Sequence, residues 1–351
     1  MHAVNESTSD VQDGKISWPS VSLVMTVRNE ERHLAEAVER ALDQGYPLPL
    51  ELVLAVGPSH DRTREVADSL AEQDSRVRVL DNPTGRTPNG LNAAIRASTG
   101  EVVVRVDGHA ILPAGYVETG VRVLIESGAD NVGGVMDARG TTAFETAVAC
   151  AMRSRIGVGQ ASFHVGGEAG AADTVYLGTF RRSALMRVGG YDEHFQRAQD
   201  WEMNHRIRGT GGLVWFTPAL QVTYRPRSSV RALASQYYQY GRWRRVVSRH
   251  HRGTINVRYL AAPVTVVACV VGLVAAPWQP WALVLPGGYL AGVLVGSLAV
   301  GRGLPARALA ALPVALATMH LSWGTGFLTS PRHLRPSEGP GALGAVPERA
   351  G

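Results

Sequence analysis

Three short stretches of this sequence carry residue types that could do chemistry together. The first is Asp107-Gly108-His109, a carboxylate and an imidazole either side of a glycine, directly after the apolar run Val102 to Val106. A hard divalent ion takes oxygen ligands and fills its other positions with water and phosphate oxygens. An Asp at a strand end, a Gly that permits close approach and a second ligand two residues on have that shape. Taken alone, the same tripeptide is what an Asp capping the next turn produces. The second stretch is Ala198-Gln199-Asp200-Trp201-Glu202-Met203-Asn204, where Asp200 could take a proton from an attacking hydroxyl as a general base or could cap a helix. The third is Gln239-Tyr240-Gly241-Arg242-Trp243. Its Arg could grip phosphate bidentately and its Trp could stack on a sugar, or the segment could be a basic amphipathic helix on a lipid surface. A metal site, a base and a phosphate clamp are the parts needed to move a group from a diphosphate donor to a hydroxyl.

The elements that must position these residues follow from hydrophobic periodicity. Val21 to Val27 is a short, β-branched run, followed by the polar break Arg28-Asn29-Glu30-Glu31 and a helical spacing at Leu34, Ala37, Val38, Ala41 and Leu42. The alternation repeats with a strand over Glu51 to Val56, a helix over Thr63 to Gln73, a strand over Val77 to Leu80, a helix near Leu91 to Ala97 and a strand over Val102 to Val106. Such alternation predicts a mostly parallel α/β sheet with helices on both faces. Ligands bind beyond the carboxyl ends of such strands, which is where Asp107 falls. Gly133 to Tyr224 is more mixed and reads as the acceptor side of the same domain, with a polar helix over about Gln199 to Arg208. Val230 to Val247 reads as a basic, aromatic amphipathic helix.

After Tyr259 the composition changes. Leu260 to Ala276, Trp281 to Val300 and Leu309 to Leu328 contain no Lys, Arg, Asp or Glu, and their lengths are near the roughly 20 residues that cross a bilayer. The first two form an expected transmembrane hairpin. Arginines lie before it, and Arg302 and Arg307 lie after it, which puts both outer ends in the cytoplasm. The third run is interrupted by Pro313, His320 and Trp323 and followed by Arg332 and Arg335; it reads either as a third span or as a re-entrant or interfacial segment. Met1 to about Lys15 lacks the basic and apolar regions of a secretory signal. The expected organisation is a disordered 1–17, a catalytic domain over 18–258 with a membrane-surface segment at about 230–250, a membrane region of two to three helices over 259–329, and a disordered tail over 330–351. A net charge of +5 with pI near 9.5 suits anionic lipid or a phosphorylated substrate, and the placement of the basic residues just before the apolar runs favours a membrane surface over nucleic acid. Cys150 and Cys269 are far apart and read as two reduced thiols.

Taken in order, VSLVMTVRNEE, SHDRT, GLNAAIRASTGEVVVRVDGHA, GGYDE, AQDWEMNHRIR, QYGRW and HLSWGTGFL resemble glycosyltransferase family 2, in the branch of succinoglycan-type membrane glucosyltransferases of bacterial polysaccharide assembly. The resemblance spans roughly Val21 to Leu328. It implies a GT-A fold, a divalent metal, Mn or Mg, and inversion at the anomeric carbon. Asp107 and His109 match the first and last positions of the family's Asp-x-Asp motif, and Asp200 matches the Asp of its Glu-Asp motif, taken there as the base. Gln239, Arg242 and Trp243 match the pattern that lines the donor diphosphate and the acceptor approach. Val27, Glu30, Gly57, Asp61, Asn92, Asp107 and Gly108 fall at positions that line the nucleotide sugar. Three departures stand out. His109 replaces an Asp, leaving one negative ligand fewer; Gln199 stands where many relatives have Glu; and the second strand ends Ala55-Val56-Gly57, where the broad family has an Asp that reads the base.

The activity this implies is transfer of a sugar from a nucleotide-sugar donor, expected to be a UDP-sugar, to a lipid-linked or free saccharide acceptor in cell-envelope or extracellular polysaccharide assembly. The expected place is the cell membrane, as a multi-pass protein with its catalytic domain in the cytoplasm. Two alternatives are a transferase acting on polyprenyl phosphate itself and a catalytically silent membrane partner of an assembly complex. The Gln-x-x-Arg-Trp pattern argues against the first, and Asp107 and Asp200 argue against the second.

Overall fold

The computed structural model describes residues 17–334; the terminal stretches expected to be disordered otherwise lie outside them. Eight strands form one sheet in the order β3-β2-β1-β4-β7-β5-β8-β6. Its first half is the predicted alternating unit: β1 (Val21–Val27), α1 (Leu34–Leu42), β2 (Leu50–Val56), α2 (Thr63–Gln73), β3 (Val77–Asp81), α3 (Thr87–Ala97) and β4 (Val102–Asp107). These four strands run parallel. Thr26 pairs with Asp107 and Val27 with Val56, so β1, β2 and β4 end together at one edge. α3 starts earlier than its apolar spacing suggests, because Pro88 sits in its first turn, where a missing N–H costs nothing.

Alternation along the strands divides the core as a two-faced sheet requires. Leu23, Met25, Leu52, Leu54, Val104 and Val106 pack on one face with Leu34, Val38 and residues of α4 (Tyr116–Ser127). Val24, Val53 and Val103 face the other way, against Leu91 and Ile95 of α3.

The mixed region adds the other half of the same sheet, with β5 (Asn131–Ala138), α5 (Ala143–Met152), two single-turn helices α6 (Arg155–Val158) and α7 (Ser162–Val165), β6 (Gly170–Ala171), β7 (Tyr176–Arg181), α8 (Arg182–Arg187), α9 (Gln199–Gly209) and β8 (Val214–Tyr224). β7 is antiparallel to both β4 and β5, and this reversal is the point where the parallel half ends. α9 closes over the second face through Met203 and Ile207.

The predicted basic stretch is one helix, α10 (Val230–His250), capped by the Ser229 hydroxyl on Ala232 N–H. It is followed by α11 (Ala261–Ala275), α12 (Val284–Val300) and α13 (Ala306–Leu328). Three segments here are long and apolar enough to cross a membrane, Val257–Ala275, Pro280–Val300 and Ala306–Leu328. Pro313 does not break α13, which is one continuous helix. α11 and α12 expose most of their apolar side chains, whereas Leu312, Ala315, Leu316 and Met319 of α13 are buried against α5 and against Leu233 and Tyr237 of α10. α10 and α13 touch backbone to backbone: a Cβ on Gly241 would overlap the Trp323 carbonyl, and one on Gly326 the Tyr238 carbonyl. Ser330, Pro331 and Leu334, expected in the disordered tail, are instead held on α10. Arg249 donates to the carbonyls of Ser330 (2.8 Å) and Pro331 (2.9 Å), and the Ser330 hydroxyl donates to the Arg242 carbonyl (3.0 Å).

Candidate active site

The loops after β1 and β2 are clasped at the carboxyl edge of the sheet. Asn29 sits in the left-handed region at φ 57°; its backbone N–H donates to the Ser59 hydroxyl and its side-chain oxygen accepts from His60 N–H. Gly57 N–H donates to the Val27 carbonyl (2.9 Å). A side chain on Gly57 would press to 3.0 Å from the Gly85 backbone. Asp61 accepts from Glu31 N–H and from Thr63, and Thr63 in turn accepts from Glu30 N–H (2.7 Å). The carboxylate of Asp61 therefore ties these two loops together.

β4 enters this edge beside them. A Cβ on Gly108 would lie 2.6 Å from a Val27 methyl and 3.4 Å from the Glu30 side chain, so only Gly lets the turn pass under Val27. Beyond it, His109 Nδ1 meets Glu30 Oε1 at 2.9 Å. That hydrogen bond raises the His109 pKa, with help from the Asp107 charge and against the effects of burial and of Arg227. It also orients the ring so that Nε2 faces away from Glu30, which is how carboxylate-histidine pairs present a metal ligand.

Arg105, two residues before Asp107 and on the same face of β4, joins the site's carboxylates. It is 7% exposed. One end of its guanidinium donates to Asp107 Oδ1 at 2.9 Å and the other to Asp200 Oδ1. Burial by itself favours the neutral form, but the two carboxylates outweigh it and push the Arg105 pKa up. Asp200 is not the cap of α9. The helix follows Ala198, which has a left-handed φ of 59° and no side-chain bond, and Asp200 lies in the first helical turn with its carboxylate turned to Arg105. Strain of this kind at a non-glycine residue collects at functional sites.

Asn92 is fully buried. Its amide donates to the Tyr191 carbonyl and the Glu193 carboxylate and accepts from Tyr191 N–H, so it holds the Gly-Gly-Tyr-Asp-Glu turn against α3. Next to Asp200, Glu202 is buried between Arg206 and His251. Desolvation works to raise its pKa, and the hydrogen bonds from His251 and Arg206 more than reverse this and lower it.

Gln239, Arg242 and Trp243 line a separate cleft of about 380 Å³, together with Gln196, Arg197 and Leu334. The cleft lies between α10 and the loop that leads to Asp200. Trp243 is braced there by Phe195, Val246 and Val247, and Arg242 packs over the Tyr238 ring.

The sequence-predicted residues thus fall into three groups. Val27, Glu30, Gly57, Asp107, Gly108 and His109 meet at the edge of the sheet, and Asp200 joins them through Arg105. Gln239, Arg242 and Trp243 face the neighbouring cleft, while Asp61 and Asn92 brace loops. Arg105 escaped the sequence reading, although a charged residue in an otherwise apolar strand, Val-Val-Val-Arg-Val-Asp, was the available signal. Among the described residues no three His, Cys, Asp or Glu side chains converge as a complete metal cage. Asp107 and His109 supply a carboxylate and an imidazole at this edge, donor types that fit an ion completed by phosphate and water.

Comparison with known proteins identifies the family. The family described as Glycosyl transferase family 2 matches residues 22–189. The succinoglycan biosynthesis protein ExoA of Rhizobium meliloti is 33% identical over 318 residues, covering 89% of this chain and 95% of that protein. The Methanococcus voltae dolichyl N-acetyl-alpha-D-glucosaminyl phosphate 3-beta-D-2,3-diacetamido-2,3-dideoxy-beta-D-glucuronosyltransferase is 23% identical over 253 residues, 68% of this chain and 77% of that one. Among solved structures, the Pyrobaculum calidifontis mannosyltransferase PcManGT, in complex with GDP-Man and Mn2+, aligns with a TM-score of 0.56 at 22% identity over 89% of this chain and 87% of that one. Residues 1–349 of S. aureus TarS align with a TM-score of 0.50 at 15% identity, covering 88% and 90%. The structural likenesses establish the GT-A type of fold, and with one residue in three shared with ExoA over nearly the whole of both proteins, the chain belongs to glycosyltransferase family 2.

Proposed function

We propose that this glycosyltransferase is attached to the membrane with its catalytic domain in the cytoplasm, and that it transfers a sugar with inversion from a nucleotide donor to a lipid-linked saccharide in envelope or extracellular polysaccharide assembly. The observation that carries this reading is the Arg105 fork, which couples a carboxylate suited to a metal with one suited to a base at the ligand-binding edge of the sheet. Asp107 and His109 would hold Mn or Mg, and the ion supplies positive charge against the leaving nucleoside diphosphate. Val27, Gly57 and Gly108 line the donor, Glu30 aims His109, and Asp61 and Asn92 act through the loops they brace. Asp200 takes the proton of the acceptor hydroxyl as it attacks the anomeric carbon from the side opposite the leaving group. Arg197 and Arg242 give the α10 cleft the charge to hold phosphate, and Trp243 gives it a surface for a sugar.

The relatives support the substrate classes. One acts in succinoglycan biosynthesis, one solved neighbour binds GDP-Man with Mn2+ and another binds UDP; a UDP-sugar is the donor we propose. The test is incubation of the purified protein with a panel of radiolabelled UDP- and GDP-sugars and extracted membrane lipid, with Mn or with chelator. Metal-dependent transfer to the lipid fraction with an inverted anomeric centre is expected. Product of retained configuration, or transfer indifferent to chelator, would overturn the mechanism. Transfer to polyprenyl phosphate alone would replace the proposed acceptor.

A further inference from the structure

α10 and α13 lie side by side and run in the same direction. Leu233 and Tyr237, early in α10, pack with Leu312, Leu316 and Met319. Further along, Gly241 meets Trp323 and Gly326 meets Tyr238. Near the middle of α10 the Tyr238 hydroxyl lies 3.0 Å from that of Thr329, just past the end of α13, and toward the far end of α10 Arg245 covers the Phe327 ring and Arg249 holds Ser330 and Pro331. α10 cannot cross a bilayer, since it carries Arg231, Arg242, Arg244, Arg245 and Arg249 and charged side chains are excluded from hydrocarbon. Its 21 residues span about 31 Å, roughly a full hydrocarbon thickness. α13, with Ser330 just after it, packs on α10 from Leu233 to Arg249, so this packed stretch stays on the same side of the membrane as α10. The α5 contacts say the same, because Ala147, Val148, Ala151 and Met152 belong to the catalytic domain and pack on the first half of α13.

We infer that α13 is an in-plane helix on the membrane surface beneath the catalytic domain, and that the chain crosses the bilayer twice, through α11 and α12. The inference rests on the membrane attachment in the reading above, but not on its chemistry. The partner of this floor is lipid: Val264, Val267, Val271 and Val274 of α11 are exposed and apolar, and the outward residues of α13 include Val314 and Leu328. The arrangement also explains the arginine after α13, since Arg332 stays on the side of Arg302 and obeys the charge rule. It returns the chain to the catalytic domain, where Leu334 packs with Phe195 and Trp243 and forms one wall of the α10 cleft.

The experiment is cysteine labelling of the full-length protein with Cys150 and Cys269 replaced by Ala. Trp278→Cys, in the turn between α11 and α12, is compared with Arg302→Cys and Arg332→Cys; all three positions are exposed. A membrane-impermeant maleimide is applied to intact and to permeabilised cells. Arg302→Cys and Arg332→Cys should label alike, only after permeabilisation, and Trp278→Cys in intact cells. Labelling of position 332 together with 278, and opposite to 302, would make α13 a span and overturn the inference, as would labelling of all three from one side. If 302 and 332 label together from outside and 278 from inside, the in-plane helix stands and the cytoplasmic orientation fails. His333→Cys repeats the reading independently of the Arg332 side chain.

Discussion

Replacing Asp200 with Asn keeps the shape of the side chain and removes its basicity, and the structure allows the two consequences to be weighed separately. The hydrogen bond from Arg105 is charge-assisted, and such bonds contribute about 1.5–3 kcal/mol. The Asp200 side chain is 37% exposed, so solvent screening reduces its loss to about 1 kcal/mol of stability. Positioned proton transfer contributes on the order of 10²–10⁴-fold, which is about 3–5 kcal/mol at the transition state. Loss of catalysis should therefore far exceed loss of stability. Because Asp200 does not cap α9, no helix-capping effect competes with this forecast. Turnover, nucleotide affinity and thermal midpoint are measured on one preparation of the Asn variant. We expect turnover to fall by about 10²–10⁴-fold, nucleotide affinity to change less than about threefold, and the midpoint to drop by roughly 2–4 °C. Turnover within about tenfold of the parent, or a loss of nucleotide affinity as large as the loss of turnover, would refute the assignment of Asp200 as base.

Three further outcomes follow from the geometry. Asp107→Ala should abolish metal-dependent nucleotide binding in calorimetry, whereas His109→Asp should bind and shift preference toward Mg, the harder ion; undiminished binding by Asp107→Ala would remove it from the ligand set. Gly241→Ala places a methyl in the Trp323 carbonyl, and overpacking of this kind costs about 1–3 kcal/mol, so the thermal midpoint should fall while a Ser248→Ala control on the same helix should not. The lowered pKa of Glu202 means that its contribution to stability is complete above the usual carboxylate value of 4.5 and is lost as pH falls through the lower folded value; Glu202→Gln should be less stable at neutral pH but should flatten the stability profile below pH 4.5, and a parallel acid-side slope in the two proteins would contradict this.

The alternation of β-branched runs with amphipathic spacings is local information, and it was enough to place β1 to β4 and the helices between them, because each strand needs only a period of two and each helix only an apolar stripe. Asp107 was legible for the same reason, standing where an apolar strand stops. Asp200 and Arg242 stood out only as candidates, each with a structural alternative, until the family resemblance weighted them. What could not be read locally was which groups meet. Arg105, beside Asp107, reaches Asp200 95 residues away in sequence, and only closure of α9 over the sheet brings them together. Glu30 reaches His109 because β1 and β4 are neighbours in register, a pairing that depends on strand order and not on either segment alone. The nature of α13 was likewise undecidable from composition, since length and apolarity describe a spanning helix and a buried one equally well. Its glycines and its contacts with the arginine-rich α10 settle which side of it meets protein, because backbone contact at Gly241 and Gly326 exists only once the two helices are packed.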